Sequence, residues 1–548
     1  MTASDSSSSA AVPAEMADRP RIDLAGSGLL SGLPAAFVDG RDVDLLAPLR
    51  FLAPGATPEG DPPPVDRSEL ARGLAAANAS YGHPAAEPLA AKLARPETRV
   101  VVAGQQPGLL GGPLYTLVKA VAAAGWVRHL EADGVPAVAV FWVATEDHDY
   151  REVARVATPG PEGLVERDLG PDPAPLLPVG MRTLGSEVEE VLTTLAAANP
   201  GERFGDWIET LRTWYRPDAR FGEAFSRLLV GLLGERCPLV LDAMLPAVKE
   251  AQRPWLARVV EAREELAERD PERERAIEKR GYGLQVQPQP GASPLFFLHH
   301  QERRRLEWGG PDGGVKLRGD ESFGEPVAWL ERLIEENPAA ISPGVLARPA
   351  IQDAILGTYL QVMGPGEVSY LPQVAPLYEI LGLAAPWVAL RPQALVLGRH
   401  QLDKLDGLPL TLEDLVAPDL DLDRLLAAGK GRDVVSPVRH EIEGLLDGLR
   451  EAAVAIDRGL EGPWNKTQSQ IGRALDAFKG RIDAAAARQN ETSRKRAEDL
   501  AAACRPRGKL QERVVTTGYF PGKYGDGFAD AFFEQLDLDP TRLQVIVP

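Results

Sequence analysis

The sequence predicts an α/β fold built on an open parallel sheet, and three observations predict it. Two short runs, Val100–Ala103 and Ala137–Val143, are apolar and free of charge, as strands buried on both faces are. About one helix length of chain, Leu109–Leu130, separates them and stops at Gly134. A third run, Thr358–Met363, has the same character far downstream. Strand, helix and strand in that order make a right-handed crossover. It sets the carboxyl ends of both strands on one edge of the sheet, where open α/β folds bind ligands.

Each strand end carries a polar cluster. The first is Gly104, Gln105, Gln106, Pro107 and Gly108, with Gly111, Gly112 and Pro113 at the entry to the helix. The early N–H groups of that helix are expected to be unpaired and, with its dipole, to favour an anion. Two adjacent glutamines are unusual in a plain turn, and each amide both donates and accepts; the alternative is a structural turn whose glycines permit tight packing. Lys119, about a turn inside the helix, could reach a phosphate or be solvated, and Tyr115 reads as packing. No Gly-Lys-Ser/Thr follows, so this is not a Walker A loop, and the dinucleotide fingerprint is missing too.

The second cluster, Thr145 followed by Glu146, Asp147, His148 and Asp149, could bind a divalent cation, act as a general base or hold an amine by charge. The competing reading is a helix N-terminus, where acidic residues are favoured. Without a second histidine cluster, amine recognition or acid–base work is preferred. At the third end, Gly364, Pro365, Gly366 and Glu367 read as a β-turn with a carboxylate at its exit, and Arg348, Gln352 and Asp353 upstream could face the same edge. The catalytic candidates are therefore Glu146, Asp147, His148 and Asp149. The binding candidates are Gly104, Gln105, Gln106, Gly108, Lys119, Arg348, Gly364, Gly366 and Glu367.

The remaining chain is organised around these ends. Residues 1–19 read as a disordered tail and 20–98 as a segment wrapping the core. A Pro/Gly-rich connector spans Pro159–Pro178, helical patterns run from Ser186 to Leu233, and Cys237–Met244 reads as a buried strand. Charged helical sequence, Ala251–Lys279, precedes Gly281–His299, whose alternation suggests strands of an inserted region. Near the end, Ile442, Leu449 and Ile456 and then Ile471, Phe478 and Ala485 recur at heptad spacing. They predict two helices joined at Gly462-Pro463 in a coiled-coil hairpin. Val514–Phe520 reads as a strand, and a final helix is expected near Phe528–Leu536.

Composition excludes several classes. A net charge of −19 over 548 residues argues against nucleic acid or an anionic membrane surface as a partner, and Arg303–Arg305 and Arg494–Arg496 are too short to change that. The length suggests roughly three to four domains, or long insertions within one domain. Two distant cysteines, Cys237 and Cys504, make neither a disulfide framework nor a zinc site, which fits a reducing, cytoplasmic setting. No signal pattern or bilayer-length apolar run is present. No Gly-x-Ser-x-Gly elbow supports a serine hydrolase.

Taken together, VVAGQQPGLLGGPLYTLVKA, VAVFWVATEDHDYREV, LARPAIQDAILGTYLQVMGPGEVSY and LQERVVTTGYFPGKYGDGFADAFFEQLDL resemble the cysteine-adding enzymes of bacillithiol biosynthesis, the BshC cysteine ligases, from about residue 20 to the end. The resemblance implies a Rossmann-like core related to nucleotidyltransferases, in two parts at 99–250 and 341–425. It also implies an inserted connecting-peptide region at 251–340, an α-helical coiled-coil hairpin at 426–510 that mediates homodimerisation, and a segment at 511–548 returning to the core. It further implies the last step of bacillithiol synthesis, an amide bond between cysteine and the amine of glucosaminyl malate. The family's Gly-Gln-Gln and Glu-Asp-His-Asp motifs fall on Gly104–Gln106 and Glu146–Asp149. Condensing a carboxylate with an amine in water needs activation, so ATP is the expected energy source, with Mg as a possible companion although no metal motif is present. The alternatives are a non-catalytic nucleotide-binding scaffold or sensor with a dimerisation arm, and a metal-dependent hydrolase using Glu146, Asp147 and Asp149 as ligands.

Overall fold

The computed structural model describes residues 20–310, 313–422, 426 and 435–548, with the side chains of 436 and 483–490 outside that description. The expected disordered tail at 1–19 lies outside the described residues. In chain order, the strands that build the site are β1 (Arg50–Phe51), β2 (Arg99–Gln105), β3 (Ala137–Val143) and β4 (Leu239–Asp242). The insert follows with β5 (Ala292–His299), β6 (Glu302–Trp308), β7 (Val315–Leu317), β8 (Asp320–Glu325) and β9 (Ile341–Pro343), and then β10 (Thr358–Met363) and β11 (Trp387–Leu390).

The central sheet has the order β1-β11-β10-β2-β3-β4, and every neighbouring pair is parallel. Its core position follows from composition. All seven residues of β3 are buried, and they alternate between two apolar clusters. Phe141 and Val143 join Leu117, Val118 and Val121 of helix α1 (Tyr115–Ala132). Val138, Val140 and Trp142 pack with Leu70 and Leu74 of the helix Ser68–Tyr81 and with Val248 of helix α2 (Pro246–Glu261). Each large apolar side chain buried this way contributes about 1.5–3 kcal/mol, so a charge on either face of β3 would be costly.

Register sets the site. Gly104 lies opposite Trp142, Gln105 opposite Val143, and Val143 opposite Asp242, so these three strands end together. From β2 the chain builds outward to β3 and β4 on one side, whereas β10 and β11 lie on the other. The order reverses between β2 and β10, the switch point where a crevice opens outside the strand ends.

Two further helices, α4 (Arg348–Leu356) and α5 (Pro365–Ile380), contribute to the crevice, and α3 (Arg263–Lys279) packs against α5. The insert is an antiparallel sheet of order β8-β7-β6-β5-β9. Strand character in the stretch expected at Gly281–His299 begins only at Ala292. The connector of Pro159–Pro178 partly overlaps a hairpin of Arg155–Gly160 and Gly163–Asp168.

Val514–Phe520 is not a strand. A single bridge joins Thr516 to Pro113, and the helix Tyr519–Tyr524 follows. The reason is competition from the entry loop of α1: Leu114 N–H donates to Val515 O, and Thr517 N–H donates to Gly112 O. The last strand, Arg542–Ile546, pairs with Arg21–Asp23 and Gln393–Val396 in a separate three-stranded sheet. Buried Arg391 and Glu512 make two guanidinium–carboxylate bonds of 3.0 and 2.7 Å, tying the returning segment into the core.

Residues up to Leu397 together with Lys509–Pro548 form one compact unit, and Gly398–Gly508 form a second. Within the second, α6 (Val435–Ile456) and α7 (Glu461–Cys504) make the hairpin. Its turn is at Asp457–Leu460 rather than at Gly462-Pro463, because Gly462 and Pro463 enter the first turn of α7, where proline is tolerated. Among the described residues, no helix is long and apolar enough to cross a membrane.

Candidate functional site

The three strand ends meet in one cleft of about 370 Å³. Gly104 is required there by packing: a Cβ at that position would sit 2.9 Å from Trp142 O. The next residues, Gln105 and Gln106, project into the cleft, whereas Gly108 does not line it. A Cβ on Gly108 would lie 2.7 Å from Gly112 Cα, so this glycine serves the turn. The N–H groups of Gly108, Gly111, Gly112, Leu114 and Thr116 all donate to carbonyl oxygens of the protein. The anion expected at the entry to α1 therefore loses its donors to the loop itself and to Val515.

Lys119 is neither solvated nor free for a phosphate. Its Nζ donates to Gly104 O at 2.8 Å and to Gln105 Oε1 at 2.9 Å, and pairs with Glu367 Oε2 at 2.5 Å. Burial pushes the ammonium pKa down while Glu367 opposes that fall. Burial also works against the Glu367 carboxylate, but Lys119 and the Gly364 N–H hold it below the usual carboxylate range. Glu367 is thus the cap of α5, accepting from Gly364 N–H at 2.8 Å, and the expected β-turn is a helix start. Glu367 lines the cleft, but Gly364 and Gly366 do not.

The acidic cluster divides by position. Glu146 is buried against Lys249 of α2, whose Nζ also donates to Ile341 O at 3.2 Å. Thr145 donates to Asp242, whose carboxyl burial pushes up. Asp147 accepts from Gln106 Nε2 at 2.5 Å and from the His148 N–H at 2.7 Å. His148 Nδ1 lies 3.2 Å from the Arg303 guanidinium; since arginine only donates, the network assigns the ring proton to Nε2. Burial and the Arg303 charge lower the His148 pKa, favouring the neutral ring. Asp149 is exposed and caps the short helix Tyr150–Val153 by accepting from Glu152 N–H at 3.1 Å. At Asp149, therefore, the helix-terminus reading holds.

Arg348, at the start of α4, lines the cleft and donates to Gln352 Oε1 at 2.9 Å and Tyr370 Oη at 3.0 Å. Gln352 and Asp353 stay in the interior, with Asp353 bound by Gln361 and Tyr378. Sequence reasoning missed Lys249, Arg303, Arg305 and Glu152. Arg303 and Arg305 alternate on one face of β6, line the cleft and lie over the Phe296 ring at 3.8 and 5.2 Å. Period-two alternation along Glu302–Trp308 is the sequence signal that puts these two arginines on one face. Glu152 lines the cleft as an exposed residue, its carboxyl pushed up by partial desolvation and by the Asp149 and Asp147 charges. Two buried polar atoms of lining residues, Gln106 Oε1 and Trp142 Nε1, have no protein partner.

Among the described residues, no group of three or more His, Cys, Asp or Glu is placed to hold a metal ion. The Glu146 carboxylate is already paired with Lys249. Both cysteines are free thiols buried away from solvent, and burial pushes the Cys504 thiol up to about 12.

Residues 57–392 match the family model described as the N-terminal Rossmann-like domain of bacillithiol biosynthesis BshC, and residues 394–547 match the C-terminal coiled-coil domain of the same family. The chain is 30% identical over 501 residues to the protein named "Putative cysteine ligase BshC" of Salinibacter ruber, covering 88% of this chain and 89% of that one. It is 29% identical over 469 residues to the protein of the same name in Solibacter usitatus, covering 84% and 86%. Against that of Geobacillus kaustophilus it is 28% identical over 462 residues, covering 80% and 82%.

Proposed function

This chain belongs to the BshC family of bacillithiol biosynthesis, and from that premise we propose that its cleft joins cysteine to the amine of glucosaminyl malate. The observation that carries the reading is a cleft with two chemical sides. Asp147, oriented by Gln106, offers a carboxylate to an amine, while Arg303, Arg305 and Arg348 offer guanidinium groups to anions.

The chemistry follows from that arrangement. ATP, when bound, supplies a phosphate leaving group to the cysteine carboxylate, which is otherwise a poor electrophile. The three arginines suit its phosphates better than the entry loop of α1, where the N–H groups of Gly108, Gly111, Gly112, Leu114 and Thr116 are paired within the protein. Mg would then be held chiefly through those phosphates. Asp147 holds the amine of the sugar close to the activated carbonyl. The amine nitrogen bonds to that carbon as the carbon–oxygen bond to phosphate breaks. Glu152, with its raised pKa, takes the proton released from nitrogen.

Homodimerisation through the hairpin is part of the same proposal, supported by the exposure of Leu445, Leu449, Ile456 and Phe478 on α6 and α7. So is a cytoplasmic site of action, supported by two free cysteines. A purely scaffolding role would leave the cleft's oriented charges without a use. The test is to incubate purified protein with ATP, cysteine and glucosaminyl malate and look for bacillithiol by mass spectrometry. Product is expected, falling by roughly two orders of magnitude or more in Asp147→Asn. No product, with the other pathway proteins supplied, would remove the ligase reading.

A further inference from the structure

A second chamber, of about 540 Å³, lies behind the cleft and shares a wall with it. The shared residues are Phe296, Arg305, Gly344 and Val345. One side is α3, which presents Asp270 and Glu274 one turn apart; another carries the Trp308 ring and a run of prolines. The loop around Val286 is pinned by Gln373 of α5, whose amide donates to Val286 O at 2.8 Å and accepts from its N–H at 3.1 Å. This is a held wall rather than a loose flap.

The lining restricts what can enter. Asp270 is half-buried, and the desolvation of its carboxyl together with the Glu274 charge pushes it up to about 7. A carboxylate or phosphate placed beside that pair would be repelled. Hydroxyl groups would be welcomed as donors, and the aromatic and proline walls suit the apolar face of a ring. The opposite sign stands at the shared wall, where Arg305 lies over Phe296 and donates to Gln289 Oε1 at 3.2 Å. Beyond it, in the cleft, are Arg303 and Arg348. A ligand fitting both chambers therefore has a neutral or cationic polyhydroxylated ring at one end and an anionic arm at the other.

We propose that the second chamber binds the sugar ring of an anionic substrate, with ring hydroxyls on Asp270 and Glu274 and the anionic arm passing Arg305 into the cleft. The proposal rests on the ligase reading for its two candidate ligands, the glycoside glucosaminyl malate and the nucleotide ATP, which share this chemistry.

Calorimetric titration of the full chain separates them. Glucosaminyl malate and ATP are titrated separately into the wild type, into Asp270→Asn/Glu274→Gln, and into Ala267→Trp, which fills the chamber without changing charge. At least one ligand is expected to lose roughly tenfold or more in affinity in both variants, with cysteine affinity held within about twofold, and the ligand affected identifies the occupant. Unchanged binding of both ligands in the variants, or binding of neither by the wild type, overturns the chamber proposal. Product formation with unchanged binding sinks the chamber and leaves the ligase reading standing. Lost binding in the variants with no bacillithiol from the wild type does the reverse.

Discussion

The cleft and the hairpin break the usual rule of burial in opposite ways. At the strand ends beside the cleft, charged groups are inside: Lys249 with Glu146, and Lys119 with the half-buried Glu367, sit among apolar side chains. In the hairpin, apolar groups are outside: Leu445 is 76% exposed, Ile456 83% and Phe478 58%. The cleft answers its own anomaly, since each buried charge has a partner within the same chain. The hairpin's stripe has no such answer among the described residues. On the function proposed above, the paired charge at the strand ends serves the cleft, whereas the uncovered apolar stripe is a surface for a second copy of the chain.

The sharpest way to break the comparison is Lys249→Met. Removing one member of a buried pair leaves Glu146 uncompensated, and about 3–5 kcal/mol of stability should be lost, read as a large fall in the denaturation midpoint. Lys249→Met/Glu146→Leu should recover most of that stability, because an apolar pair of similar volume avoids the desolvation cost. It should not recover bacillithiol formation. A double variant as active as the wild type would show the pair to be structural, and the cleft would lose its distinction from ordinary interior packing.

The acidic cluster allows a finer cut. Asp149 caps a short helix and Asp147 faces the cleft, two residues apart. Asp149→Ala should cost about 1 kcal/mol, as loss of an N-cap does, with turnover little changed. Asp147→Asn should do the opposite, leaving the melting temperature nearly constant while product falls. Equal losses of activity in both would erase the boundary between site and scaffold drawn through this motif.

That boundary explains what could be read from the chain alone. Of the six parallel strands, β2, β3, β4 and β10 were legible because burial on both faces favours apolar runs, and β10 was expected at Thr358–Met363 and found there, whereas β1 and β11 were not among the strands expected. The cleft's local motifs were legible too, since Gln105, Gln106, Glu146, Asp147 and His148 all line it. What stayed hidden was set by partners distant in sequence. Lys249 acquires its role only when α2 packs beside β3, 103 positions from Glu146. Arg303 reaches His148 across 155 positions from an inserted sheet. Asp149 had two readings, and only the helix that follows it decides between them. Likewise Val514–Phe520 has strand-like composition, but its backbone is drawn off to close the loop before α1.

The hairpin gives the smallest expected effect on folding and the cleanest contrast. Leu445→Glu/Leu449→Glu changes side chains that are mostly exposed within the chain, so the stability of the isolated protomer should move by no more than about 0.5 kcal/mol. If the stripe is an interface between two copies, the same changes bury like charges against each other, and the mass measured by light scattering should fall from dimer to monomer. Bacillithiol formation should persist in the monomer, because every residue proposed for the cleft belongs to the unit that excludes Gly398–Gly508. A variant that stays dimeric would place the interface elsewhere. A monomer that folds but makes no product would show that the cleft depends on assembly, joining the two regions in one function.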